Sequence, residues 1–163
     1  MKLPRATRHC KTSGRHGRHR QVSFDYLGYT FKPRSAKRKD GTVFTSFAPA
    51  ISGKAAKAIR QEIRRMRFHL RSDLSFNDIA KMINVKAGPW AAYYGRFYPS
   101  ETARVLFHID RYLLRWARRK YKHLHRAPRR AWRALAAIKK ARPGLLAHWK
   151  WELRTRTAAA RAG

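Results

Sequence analysis

Apolar residues recur along this chain with two different periods, and the change falls near residue 50. The stretches "FDYLGYTFK" (24–32) and "TVFTSFA" (42–48) are rich in Phe, Tyr and Thr, residues that favour strands. Between them "PRSAKRKDG" ends in Asp40-Gly41, a strong turn signal. The pattern predicts one β-hairpin whose loop carries Arg34, Lys37, Arg38 and Lys39. After Pro49 the period becomes helical. Ser52 suits an N-cap for a helix to about Arg71, with Ala55, Ile59, Ile63, Met66 and Leu70 on one face. On a second face of that helix lie Lys57, Arg60, Arg64, Arg67 and Arg71, a rail of positive charge.

Ser75 with Asp78 three residues on reads as a capping box for a short helix holding Phe76, Ile79, Ala80 and Ile83 inside. Gly88-Pro89 reads as a break, with Pro89 in the first turn of the next helix. There Trp90, Tyr94 and Phe97 share one face, which assigns them to the core. Tyr93 and Arg96 share another face, and Tyr93 and Tyr98 are expected to be exposed. Ser100 is the expected cap of the longest helix, running to about Lys122 with Glu101 in its first turn. Its inward stripe is Ala103, Leu106, Ile109, Leu113 and Trp116, and its second basic rail is Arg111, Arg115, Arg118 and Lys122, beside Arg119, Lys120 and Tyr121. Another helix is predicted over 129–142 with Ala131, Leu135 and Ile138 inward, then a short one over "LLAHWKWEL" (145–153) and a frayed basic tail. Trp149 and Trp151 lie two apart, so one of them is expected as a lid or partner contact. The fold class is thus mainly α: a β-hairpin feeding an α-helical bundle, divided as residues 1–50, 51–150 and 151–163.

Charge changes what these faces mean. The 163 residues hold 40 Lys plus Arg against 8 Asp plus Glu, a formal charge of +32. Solvated faces normally mix signs, whereas these rails are almost unopposed, which points to a polyanionic partner such as nucleic acid. With 44% hydrophobic residues a packed core is within reach. No run long enough to span a bilayer occurs, and no secretory signal opens the chain, so the expected setting is cytoplasmic without a membrane partner. Cys10 stands alone, which leaves no intrachain disulfide. His9, Cys10, His16 and His19 lack the paired spacing of zinc ligands, and protonation of such histidines against phosphate fits them better. The acids are scattered singly, so convergent carboxylates for metal-dependent catalysis are not expected, and no cofactor or metal is implied.

Five blocks in order, "VSFDYLGYTFKPR" (22–34), "FTSFAPAISGKAAKAIRQEIR" (44–64), "DIAKMINVKAGPWAAYYGRF" (78–97), "LLRWARRKYK" (113–122) and "RPGLLAHW" (142–149), resemble group II intron reverse transcriptase/maturases. The likeness is to the end of the polymerase palm followed by the thumb, or maturase-specific X domain. That family usually reads Gly-Trp before its Tyr-Tyr pair, where this chain has Gly88-Pro89-Trp90-Ala91-Ala92. The resemblance implies a protein that binds intron RNA, assists its folding for splicing and grips template and primer, with the Leu27-Gly28 turn near the primer terminus. The paired polymerase aspartates and zinc-nuclease cysteines of the family do not occur here, so catalysis by this chain is not expected. The expected RNA contacts are the two rails with Arg34, Lys37, Arg38, Tyr93, Arg96 and the 118–122 cluster, against intron RNA or an RNA–DNA duplex. Two alternatives stand beside this: a remnant with no role of its own, or a split subunit that docks with a separate fingers–palm polypeptide.

Overall fold

The computed structural model describes residues 23–38 and 40–162, without the side chains of residues 36, 37, 156 and 158–162. The basic opening segment, including the short strand expected near 7–11 and the His9, Cys10, His16 and His19 set, lies outside the described residues. The rest is mainly helical with two small antiparallel sheets.

The β region is two hairpins, not one. Strands β1 (Phe24–Tyr26) and β2 (Tyr29–Phe31) pair through the two-residue turn Leu27-Gly28, and β2 pairs in turn with β5 (Ala50–Ile51). Leu27 and Gly28 both have positive φ, 47° and 79°, the signature of a type I′ hairpin turn. A Leu gives no warning of that conformation, which is why 24–32 reads as a single strand. The second hairpin joins β3 (Arg34–Lys37) to β4 (Val43–Ser46). Its turn is the expected one: Gly41 has φ 89° and the Asp40 carboxylate accepts from Thr42 N–H at 2.9 Å. Arg34 and Lys37 therefore lie on a strand instead of in a loop.

Helix α1 (Gly53–Arg65) starts where expected, with the Ser52 hydroxyl accepting from Ala55 N–H at 3.1 Å. It ends earlier than expected, because Arg67 turns left-handed at φ 48° and a 3-10 turn (Phe68–Leu70) follows. Phe68 takes the buried position expected of Leu70, which is exposed. Helix α2 (Phe76–Tyr94) opens on the expected Ser75–Asp78 capping box but runs straight through Gly88-Pro89. Pro89 and Val85, whose carbonyl the proline ring and missing N–H leave without a partner, are both solvent-exposed, so water can satisfy it.

Helix α3 (Pro99–Lys120) is the axis of the molecule and touches α1, α2, β5, α4 (Pro128–Ala141) and α5 (Ala147–Ala162). It starts at Pro99, not at a Ser100 cap: the N-cap is Tyr98, without a side-chain bond. Val105, Leu106, Ile109, Leu113 and Trp116 are buried along it, with Thr102 and Asp110 among them. Helix α5 extends through Ala162, where the composition suggested a frayed tail. Its start is held by Asn84, whose carboxamide accepts from Ala147 N–H at 2.7 Å and donates to the Leu145 carbonyl at 2.9 Å. Trp149 is buried and the partly buried Trp151 packs against the core over Gly95, so both tryptophans turn inward.

Candidate nucleic-acid interface

The aromatic-rich segment at the end of α2 proves to be a clasp. Tyr29 of β2 sits within 5.2–5.6 Å of the rings of Tyr93, Tyr94 and Phe97. Its hydroxyl donates to the Tyr93 carbonyl, and the Tyr93 hydroxyl donates back to the Leu27 carbonyl at 2.9 Å. The Gly28 carbonyl accepts from Ser52 N–H at 2.8 Å, so the Leu27-Gly28 turn is tied to the start of α1 as well. A Cβ on Gly28 would approach the Tyr94 hydroxyl to 3.0 Å. Trp90 and Tyr94 pack on the core as expected. Phe97 does not: it is 51% exposed, its edge toward Tyr29. Tyr93 is exposed as expected, whereas Tyr98 is half-buried under the Arg34 guanidinium, 5.2 Å from its ring centroid. Arg38 lies over Phe44, and the exposed Arg96 lies beside Phe97.

The two basic rails converge. Along α1, Lys57, Arg60 and Arg64 are exposed at helical spacing, and along α3 so are Arg111, Arg115 and Arg119. Helix α1 and the 3-10 turn both pack on α3, and burial together with Arg60 and Arg111 lowers His108 as burial together with Arg115, Arg67 and Arg119 lowers His69, so these cations share one seam. Among the described residues, none of these seven cations is ion-paired to a carboxylate. The acids are engaged elsewhere: Glu62 with Lys86 and Arg65, Glu101 with Arg104, Glu152 with Lys139, and Asp110 with His148.

Other expected contacts separate from this face. Arg71 chelates Asp73 through Nε and Nη2, at 3.0 and 2.8 Å, which holds the Asp73 carboxyl below its ordinary range. Arg118 turns back to give two hydrogen bonds to the His125 carbonyl, at 3.1 and 2.9 Å. Lys120 donates to the Leu74 carbonyl at 2.5 Å and lies over the Trp116 ring. These three side chains brace loops. Tyr121 and Lys122 are exposed just past α3, with the Tyr121 ring edge-on to Trp116. The side chain of Lys37 is outside the described set.

The sequence reading missed His69, His108 and Tyr112, which line the seam, and the stacked pair Phe107–Trp132 across α3 and α4, whose planes lie within 4° at 5.6 Å. A signal for the histidines existed: His108 falls one helical turn before Arg111 and Tyr112, inside the rail.

A helical domain topped by small hairpins, with an arginine-lined face and a buried aromatic core, is the class these features define. Residues 56–135, from within α1 to within α4, match the family described as the group II intron, maturase-specific domain. The match covers 80 of the 163 residues and supports a group II intron maturase-related role. No curated protein and no solved structure gives a match. Among the described residues, no helix is long and apolar enough to cross a membrane.

Proposed function

We propose that this chain is an RNA-binding maturase module that grips intron RNA, or an RNA–DNA duplex, along the α1–α3 face and thereby assists folding of the intron for splicing. The observation that carries the reading is that Arg60, Arg67, Arg111, Arg115 and Arg119 line one seam where α1 and the 3-10 turn pack on α3, without a carboxylate partner among the described residues. A-form duplexes present phosphates and 2′-hydroxyls instead of a readable major groove, and arginine forks on rigid helices suit both. The Leu27-Gly28 turn is anchored to α1 and α2, and because Tyr94 fills the space where a Gly28 side chain would lie, the exposed Leu27 is what the turn offers a nucleic acid.

Counterion release sets the test. If ~6–8 phosphates are neutralised, affinity for a group II intron RNA falls with salt at a log–log slope of about −5 to −7. Charge reversal at Arg60, Arg64 and Arg115 flattens that slope more than reversal at Lys140, Arg142 and Arg154, which lie on or beside α4 and α5. Equal effects from the two triplets would remove the α1–α3 face as the footprint. Binding an unrelated structured RNA equally well would remove the intron preference.

One observation favours an additional role as a docking subunit. Phe24, Tyr26, Leu27 and Val43 are each more than half exposed on the two hairpins, and β1 is an edge strand among the described residues. Such an edge and apolar set suit pairing with a fingers–palm polypeptide. Primer extension that requires both chains supports this role, and its absence on mixing removes it.

A further inference from the structure

Tyr112 of α3 is the hub of a small cluster at the centre of the basic seam. The His69 ring meets it edge-on, centroids 4.9 Å apart at 75°, and the Arg115 guanidinium lies 5.0 Å over its face. Phe68, fully buried beside His69, packs on the same ring at 6.0 Å and fixes the backbone of the 3-10 turn. Arg67 precedes it in the left-handed conformation, at φ 48°, a state that non-glycine residues adopt at a cost. Arg119 lies one turn beyond Arg115 on α3. Arg67 of its own loop and Arg115 and Arg119 of α3 all act electrostatically on His69.

The ring is half-buried, and its Nδ1 is sealed from solvent without a hydrogen-bond partner. The opposite edge, carrying Nε2, is the one left toward solvent. A buried lone pair is easier to leave unpaired than a buried N–H of an imidazolium, so the free protein favours neutral His69 with its proton on Nε2. Burial, and then Arg115, Arg67 and Arg119, hold His69 below the ordinary histidine range. His108, on α3 itself, is likewise lowered by burial, Arg60 of α1 and Arg111.

We propose that His69 with Arg67, Arg115 and Arg119 forms a phosphodiester site at which RNA binding draws a proton onto the imidazole. This rests on the RNA-binding reading and deepens it. A phosphate oxygen accepts from His69 Nε2–H while the arginines hold the remaining charge. The incoming negative charge offsets the guanidinium repulsion that adds to burial in keeping the ring neutral, so its proton affinity rises on binding, by an amount limited by the buried Nδ1–H, which gains no acceptor. Linkage then sets the sign. Between the lowered free-state value and the raised bound-state value, binding takes up protons, and affinity falls as pH rises. Above the bound-state value both states are neutral and the dependence vanishes.

The test is the affinity for a fluorescein-labelled RNA hairpin at fixed salt, from pH 5.5 to 8, for the wild-type chain, His69→Gln and His69→Arg. Far-ultraviolet dichroism and melting establish that each variant is folded. The wild-type chain loses affinity with rising pH, up to about tenfold per pH unit for each proton taken up. His69→Gln shows a shallower slope. His69→Arg keeps a fixed charge at the site, so it flattens the slope while binding more tightly than wild type at pH 8. In the wild-type chain the His69 imidazole resonance, assigned by its loss in His69→Gln, titrates at higher pH in saturating hairpin than in free protein. Unchanged slopes in both variants, with salt-dependent binding intact, overturn the proton-linked site and leave the RNA-binding reading standing. Absence of salt-dependent binding by the wild-type chain overturns both.

Discussion

Asp110 sits on the inward stripe of α3, one turn past Leu106, where the pattern asks for an apolar side chain. Its Oδ1 accepts from Trp149 Nε1–H at 2.8 Å and pairs with His148 Nε2 at 3.0 Å, all three residues being buried. Because the carboxylate only accepts, His148 donates through Nε2, and its Nδ1 is left buried without a partner. The cluster pins α5 to the central helix. Replacing Asp110 by Ala strands two donors in the core and is expected to cost about 3 kcal/mol, read as a lowered denaturant midpoint. Asp110→Asn keeps one acceptor and is expected to lose less; equal losses would mean that the charge itself, not the acceptor, holds α5. An acid on an apolar stripe is a legible sign that something pairs with it. The partners are 38 and 39 residues away, and periodicity carries no information about which helix they come from.

Helix starts governed by local side-chain chemistry were legible, because the cap and the N–H it satisfies lie within three residues. Ser52 and the Ser75–Asp78 box stand where the sequence puts them. Boundaries that depend on proline were not, because proline's effect is decided by what surrounds the carbonyl four residues back. Pro99 starts α3 one position ahead of the serine that resembled a cap, and Pro89 passes inside α2 on its solvent side. The α2 helix therefore carries an unmade hydrogen bond at Val85, offset in part by the stiffness proline gives the unfolded chain. Pro89→Ala is expected to raise stability by about 1–2 kcal/mol, seen as a higher melting temperature with unchanged helical dichroism. A lowered melting temperature would mean that the ring or the bend at 89 is needed to bring Tyr93 and Tyr94 onto Tyr29. The same limit explains the hairpins: the aromatic content of 24–32 was legible, but the reversal at Leu27-Gly28 rests on a positive φ at a leucine and on the Tyr93 hydroxyl, 66 residues away, that donates to the Leu27 carbonyl.

At the scale of the whole molecule, charge sets two opposed responses to salt. The eight carboxylates, even where ion-paired, leave a formal charge of +32 on 163 residues. The cations of the α1–α3 face repel one another across a seam narrow enough for three guanidinium groups to act on His69. In the free chain this self-repulsion opposes compaction, and added salt screens it within a Debye length of about 10 Å at 0.1 M. Bound RNA neutralises the same charges, but its own affinity declines as salt rises, since each released counterion gains less entropy in a saltier solution. The melting temperature of the free chain is therefore expected to climb with sodium chloride, while the extra stabilisation conferred by a fixed concentration of RNA hairpin shrinks. The two curves converge at high salt. Calorimetric melts across a salt series, with and without hairpin, measure both at once. A free-chain melting temperature that falls with salt would show that the carboxylate pairs bridging α1 to α2 and α4 to α5 outweigh the repulsion. The exposed arginine face would then be no burden on the fold in the absence of a polyanion.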